Sequence, residues 1–267
     1  MGRTIKLLFL FFVYQLAVTG GCTGLYMLWN GSMDMPDSSA DSYVTFLLVV
    51  QVTFTILLSA HLFLGKYVKW DKRRFKIYNR PVMWMLSLVL IVGMGLWNNY
   101  LNELVDLPNT MEDFFEEMMT HPLGIFATVI MAPIMEEFLF RGAIQGHLMR
   151  TWKNPVWAIL LSSFLFGAVH GNPAQIPFAF TIGLGLGWMY YVTGSLAPCL
   201  FMHFVNNGSA VVIFWLTQNP EATLIGMYGI KMATCLALVG VLLTIVGILG
   251  VKKNMKNSPV SWYELPD

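Results

Sequence analysis

Residues 131–141 read Met-Ala-Pro-Ile-Met-Glu-Glu-Phe-Leu-Phe-Arg, an apolar stretch typical of a membrane helix that nevertheless holds three ionisable side chains. A charged side chain inside a bilayer costs at least a few kcal/mol, so such residues are candidates for function. Glu136 and Glu137 point about 100° apart on a helix and cannot do the same work. Glu137 and Arg141 are spaced to pair on one face, whereas Glu136 has no local partner. We therefore predict a supporting Glu137–Arg141 pair and a Glu136 that is free for chemistry.

The whole chain has the composition of a membrane protein. Of its 267 residues, 56% are hydrophobic and 12% are charged, whereas a soluble domain carries about 25% charged residues. The formal net charge of +1 argues against a nucleic-acid partner. Cys22, Cys199 and Cys235 stand singly in apolar stretches, which indicates packing residues rather than a disulfide framework or a cysteine-based metal site.

Hydropathy predicts an all-α integral membrane protein, a single polytopic domain over residues 1–267 built as a bundle of about eight transmembrane helices. The first span could be a signal peptide, but its apolar run is long enough to cross a bilayer, so we predict a retained helix. Residues 108–119 predict a short amphipathic helix, with Thr110 and Asp113 as a capping box, that seals the bundle at the interface or acts as a lid. The predicted spans are 5–29, 43–64, 81–101, 122–145, 155–170, 176–192, 196–216 and 224–251.

The fourth predicted span also contains a proline. Pro133 lacks a backbone donor and frees the carbonyl of Val129, so we expect a kink three residues before Glu136. Such a kink is tolerated in a membrane where neighbouring groups or water satisfy the freed carbonyl.

Charged residues divide the loops into two sets. Basic residues fill the N-terminus, loops 66–80 and 147–154, and the end of the last span, whereas loops 30–42 and 102–121 are acidic. By the positive-inside rule, both termini should face the cytoplasm. We therefore expect a multi-pass protein of the cell inner (cytoplasmic) membrane, with the lipid bilayer as its surroundings.

Three polar groups fall within residues 122–216, the predicted catalytic core. Besides Glu136, the fifth span ends in Phe166-Gly-Ala-Val-His170, and the seventh contains His203-Phe-Val-Asn-Asn207. The first and last residues of each group share a helix face. A lone membrane histidine is often only a packing residue. Two histidines, a free carboxylate and an amide in one bundle are instead candidates for acid–base chemistry.

Together these patterns resemble the signature of a known family. Glu-Glu-x-x-x-Arg, Phe-x-x-x-His and His-x-x-x-Asn on successive membrane helices are typical of the CPBP intramembrane proteases, which include the type II CAAX prenyl endopeptidases and the bacteriocin-processing or self-immunity Abi proteins. All three motifs are intact here. The resemblance implies an intramembrane endopeptidase that acts on a peptide or a membrane-anchored protein.

The resemblance also implies roles for the motif residues. Glu136 would act as general base on a water that His170 helps to hold. His203 and Asn207 would donate hydrogen bonds to the oxyanion of the tetrahedral intermediate, at roughly 3–4 kcal/mol for a good donor. The supporting residues would be Glu137, Arg141 and Phe166.

Two questions stay open at the level of sequence. Glu136, His170 and His203 could instead bind Zn²⁺ or another divalent metal, although they lack the His-Glu-x-x-His spacing. At 1.5 Å per residue, Glu136 would lie about 15 Å deep, His203 about 10 Å and His170 about 22 Å, so they converge only if the fifth span is tilted or begins outside the bilayer.

Other functional classes compete with the protease. The same fold could serve a non-catalytic immunity factor, scaffold or peptide-binding protein. The glycine-rich sixth span also suits a transporter, but the sequence has no inverted repeat. A carboxylate that faces two histidines favours the enzyme, because a binding protein has no need of it.

Overall fold

A computed structural model of the chain describes residues 1–32, 41–68, 75, 80–219, 222–255 and 262. These residues form helices without any strand, and seven of the helices are long and apolar enough to cross a membrane. The chain is therefore an all-α multi-pass membrane protein, as predicted. The helices are α1 Gly2–Asn30, α2 Asp41–Leu64, α3 Arg80–Val105, α4 Glu112–Thr120, α5 Pro122–Trp152, α6 Pro155–Ala168, α7 Gln175–Thr193, α8 Leu196–Thr217 and α9 Leu224–Met255.

The fifth predicted span is shorter than expected. Helix α6 has 14 residues, which at 1.5 Å per residue is about 21 Å, less than the roughly 30 Å of a bilayer core. His170 lies in the turn after the helix rather than on it. The buried Asn172 then donates to Asn109 Oδ1 (2.8 Å) and accepts from the backbone N–H of Thr110 (3.1 Å). The short helix and its turn together therefore reach the end of the bundle where α4 begins.

Side chains at the helix ends fix where the motif-bearing helices begin. Asn154 Oδ1 accepts from the backbone N–H groups of Val156 and Trp157, which starts α6. Ser195 accepts from the N–H of Ala197 at the start of α8. Both are residue types that satisfy the free donors of a first helical turn. Because of these caps, α6 and α8 enter the bundle at defined residues.

The predicted amphipathic helix is present as α4, but its capping box is wrong. The residue before the helix is Met111, which makes no side-chain cap. Thr110 turns away and donates to Asn172 instead, because that buried amide oxygen would otherwise lack a partner. The apolar side of α4 packs inward, with Met119 against Val211 and Phe214 of α8. Whether α4 seals the bundle or opens as a lid stays a prediction.

Helices α3 and α9 pack through small residues. A β-carbon built on Gly93 would lie 2.7 Å from the carbonyl oxygen of Gly240, and the reverse distance is also 2.7 Å. Small residues let membrane helices approach closely and gain van der Waals contact. At one end of this pair, the Glu103 carboxylate accepts from the backbone N–H groups of Ile225 and Gly226 at the start of α9.

Part of the predicted charge asymmetry falls outside the described residues. The orientation of the chain therefore stays a prediction. The residues concerned are Asp34, Asp37, Lys69, Lys72, Arg73, Arg74, Lys76, Glu221 and Lys256.

Candidate active site

Helix α5 carries the first motif on an unusual backbone. It is π-helical over Ala127–Met131 and again over Glu137–Gln145, on either side of Glu136. The N–H of Ala132 donates to the carbonyl of Ala127, five residues back. Such wide turns are uncommon inside α-helices and often occur at functional sites. The segment that holds Glu136 is therefore a short α-helical turn between two wider ones.

The two adjacent glutamates have different surroundings. The Glu137 side chain is fully buried, and its Oε1 lies 3.3 Å from Nη1 of the equally buried Arg141. The Glu136 side chain retains 18% exposure. The Arg141 guanidinium also lies over the ring of Phe166, 4.4 Å from its centroid, and donates to the carbonyl of Gly183. Glu137 is thus held inside the bundle, while Glu136 faces a less enclosed space.

His203 lies between the two carboxylates. Its Nδ1 is 2.9 Å from Glu137 Oε1, and its Nε2 is 3.6 Å from Glu136 Oε2. The Glu137 carboxylate is paired with Arg141 and accepts, so Nδ1 of His203 carries the hydrogen. The other ring nitrogen, Nε2, then faces Glu136. Glu137 therefore contacts His203 as well as Arg141, a second contact that the i,i+4 spacing did not predict.

The second histidine joins this group through Phe166. His170 Nδ1 lies 2.7 Å from the Phe166 carbonyl oxygen, which can only accept, so His170 also presents Nε2. The Phe166 ring meets the rings of both histidines edge-on, with centroids 5.0 Å from His170 and 5.6 Å from His203. The three motifs therefore adjoin one another in space, in spite of the different depths that straight spans implied.

Asn207 is held one turn further along α8. Its Nδ2 donates to the carbonyl of Thr128 at 3.0 Å, and its Oδ1 accepts from Asn206. One of its two amide hydrogens is therefore committed to α5. Thr128 directly precedes Val129, whose carbonyl was predicted to be freed by Pro133.

Several of the groups that hold the site are backbone carbonyls, which sequence motifs do not show. Arg141 is bound by the Gly183 carbonyl, and Gln145 Nε2 donates to the Gly187 carbonyl at 2.7 Å. The glycine-rich pattern of α7 was the feature of the sequence that could have indicated these close contacts. A β-carbon at position 187 would lie 2.8 Å from Gln145 Oε1, so glycine there gives the side chain room.

The predicted metal ligands have the hydrogen-bonding pattern of metal-binding residues. Both histidines have Nδ1 bound to an oxygen and Nε2 turned away from it, as metal-binding histidines usually do. Among the described residues, however, no group of three or more His, Cys, Asp or Glu side chains is placed to hold an ion. Glu136 and His203 are adjacent, and His170 adjoins His203 through the Phe166 ring.

The arrangement suits proton transfer at a polar centre inside an apolar bundle. It offers a partly exposed carboxylate, two histidine Nε2 atoms and an amide with a hydrogen to spare. A base within reach of an imidazole, itself oriented by a third group, is the general pattern of hydrolytic sites.

Comparisons with known proteins fall on this part of the chain. Residues 119–209 match the family model described as Type II CAAX prenyl endopeptidase Rce1-like. Over 106 residues the chain is 37% identical to the membrane-embedded CAAX protease MroQ of Staphylococcus aureus (strain USA300), covering 38% of this chain and 42% of that protein. Over 92 residues it is 32% identical to a Bacillus subtilis (strain 168) protein provisionally described as membrane peptidase YdiL, covering 34% and 37%. No solved structure matches significantly.

The matches span less than half the length of each of these relatives. The family match includes the three motifs in full, because it runs from before Glu136 to beyond Asn207. Helices α1 to α3 and α9 lie outside the family match. Through residues 119–209, the chain is therefore similar to the Rce1-like family of type II CAAX prenyl endopeptidases.

Proposed function

We propose that the protein is an intramembrane endopeptidase that hydrolyses a peptide bond of a membrane-associated substrate with a water activated by Glu136. The observation that carries this proposal is the pairing of a partly exposed Glu136 with the Nε2 of His203, whose other nitrogen is fixed by a buried carboxylate. A partly exposed carboxylate that is not committed to a buried ion pair with Arg141 is available to take a proton from water.

His170 is proposed to hold the attacking water. Its Nδ1–H is occupied by the Phe166 carbonyl, so its Nε2 can accept a hydrogen bond from the water. Glu136 accepts the second hydrogen of that water. The hydroxide character that develops on the oxygen then attacks the carbonyl carbon of the scissile bond.

His203 and Asn207 are proposed to serve the oxyanion and the leaving nitrogen. Asn207 has one amide hydrogen beyond the one given to Thr128. His203 Nε2 can donate only once it carries a proton, and Glu136 Oε2, 3.6 Å away, can supply the proton taken from water. The Nε2–H then stabilises the oxyanion, and it protonates the amine as the C–N bond breaks. Glu136 and His203 therefore return to their starting protonation states when the products leave.

The substrate is proposed to be a peptide or protein segment that reaches the site from the bilayer. MroQ is named as a CAAX protease. A lipidated C-terminus is thus one substrate class to try, and an unmodified leader peptide or membrane-protein terminus is the other. The chemistry at Glu136 is the same for both classes.

The test is cleavage by the full chain in lipid vesicles. A panel of membrane-anchored peptides, with and without a prenylated C-terminal cysteine, is incubated with the protein, and new termini are identified by mass spectrometry. Glu136→Gln should abolish cleavage with unchanged thermal unfolding, because it removes the base and keeps the shape. The control variant Glu103→Gln alters a carboxylate that caps α9, and it should cleave at the wild-type rate.

Two outcomes would contradict the proposal. Cleavage by Glu136→Gln near the wild-type rate would refute the role of Glu136 as the general base. Binding without cleavage by the wild type would favour a non-catalytic peptide-binding protein.

A further inference from the structure

Pro133 stands where the wide turn of α5 ends. The hydrogen bond from Ala132 N–H to the Ala127 carbonyl shows that the backbone pairs five residues back at this point. In that register the next donor would belong to residue 133 and would reach the carbonyl of Thr128. Proline has no N–H, so the Thr128 carbonyl receives no hydrogen bond from that position.

The carbonyl left over is the one that binds Asn207. Asn207 Nδ2 donates to it at 3.0 Å across the interface between α5 and α8. A partly buried carbonyl in a membrane bundle needs a donor, and an amide side chain from a neighbouring helix supplies one here. The bond also sets the direction of Asn207, since one amide hydrogen and the oxygen are both committed.

We propose that Pro133 is a positioning residue for Asn207: by withholding its backbone donor, it leaves the Thr128 carbonyl to fix the amide that faces the reaction centre. This inference rests on the proposed function for its link to catalysis, but the hydrogen-bond relation itself does not. A proline that only bends α5 would act equally on every residue beyond the bend. A proline that acts through Thr128 affects Asn207 specifically.

The dependence of the Asn207 hydrogen bond on Pro133 can be measured through the ¹³C chemical shift of the Thr128 carbonyl. Thr128-Val129 is the only Thr-Val pair in the sequence. Labelling threonine at the carbonyl carbon with ¹³C and valine with ¹⁵N therefore isolates that one carbonyl in a solid-state NMR filter. In the full chain in lipid vesicles, Asn207→Ala should move its ¹³C shift upfield, because a donor is lost. In a Pro133→Ala background the same substitution should leave the shift unchanged, because the N–H of residue 133 now holds the carbonyl.

Two control substitutions separate the missing N–H from the ring. Replacing Pro133 by an α-hydroxy acid removes the ring without restoring a donor, so the Thr128 shift should stay as in the wild type. Pro155 occupies the first position of α6, where no helical partner is lost, and Pro155→Ala should change nothing at Thr128. If Asn207→Ala moves the Thr128 shift equally with Pro133 and with Pro133→Ala, then Pro133 does not control the hydrogen bond between Thr128 and Asn207.

Kinetics on a cleaved peptide from the panel then test the catalytic link. Pro133→Ala should lower kcat about tenfold with little change in KM, a fraction of the loss that follows removal of an oxyanion donor. In an Asn207→Ala background, Pro133→Ala should cause no further loss. Independent, multiplying losses would refute the positioning role. A wild-type chain that cleaves no peptide would refute the proposed function, while the NMR cycle would still decide the relation between Pro133 and Asn207.

Discussion

Glu136 and Glu137 are neighbours in the chain, yet their carboxylates meet different partners. Glu137 is enclosed between Arg141 and His203, and Glu136 lies 3.6 Å from the other nitrogen of the same histidine ring. The i,i+4 spacing was enough to predict which glutamate pairs with Arg141, because that contact is local to one helix. It could not predict the His203 contact, which joins residues 66 positions apart. The role of each glutamate thus depends on α8 as much as on its own helix.

Glu137→Gln should destabilise the protein. The substitution leaves the Arg141 guanidinium buried without its charge partner, which typically costs about 3–5 kcal/mol. Thermal unfolding in vesicles measures the loss. The double variant Glu137→Gln/Arg141→Gln should recover much of it, because neither charge then remains. If Glu137→Gln unfolds like the wild type and only cleavage fails, the roles of the two glutamates are exchanged.

His203 distinguishes a donor site from a metal site. We expect His203→Gln to retain more activity than His203→Ala, because the amide keeps a hydrogen-bond donor beside Asn207, and loss of one oxyanion donor costs about 10²- to 10³-fold in kcat. Chelators should leave the wild-type rate unchanged. Equal inactivity of both variants, together with inhibition by a chelator that Zn²⁺ reverses, would instead assign Glu136, His170 and His203 as metal ligands.

At the scale of the helix, α5 shows what periodicity can and cannot predict. Its apolar length and the disturbance at Pro133 follow from the sequence. The wide turns do not, because every periodic pattern assumes pairing four residues back. In the wider register the Thr128 carbonyl accepts a hydrogen bond from the Asn207 side chain, which lies 79 positions away in the chain. In this wider register the donor missing at Pro133 would have reached the Thr128 carbonyl, one residue before the predicted Val129.

The packing of α3 on α9 should fail when its glycines are enlarged. Gly240→Val places branched carbons against the backbone of Gly93, where even a β-carbon would be 2.7 Å from an oxygen. Overpacking of this kind costs about 1–3 kcal/mol. Gly95→Val, on the same α3 but with nothing within 4 Å of an added β-carbon, is the matched control. Thermal unfolding should separate the two variants, and equal loss would indicate that the close contact is not what holds these helices together.

For the whole molecule, hydropathy was sufficient to predict the bundle but not the shape of its active half. Seven long apolar helices are where the sequence places them. Helix α6 ends at Ala168, two residues before the predicted end of the fifth span at residue 170. The Asn172 contacts that tie the following turn to Asn109 and Thr110 are long-range. The depth estimate for His170 assumed a straight fifth span, whereas His170 lies in the turn that follows α6.

The orientation of the bundle can be tested in a cysteine-free background, with Cys22, Cys199 and Cys235 replaced by serine or alanine. We expect a reagent confined to the cytoplasmic side to label Lys153→Cys and Lys253→Cys, because the positive-inside rule places basic ends there. It should not label Gly171→Cys, at the far end of α6, although disruption of the membrane should expose it. If Lys153 and Gly171 positions are labelled from the same side, α6 is a re-entrant helix. The termini would then lie on opposite sides of the membrane, since seven crossings cannot return the chain to its starting side.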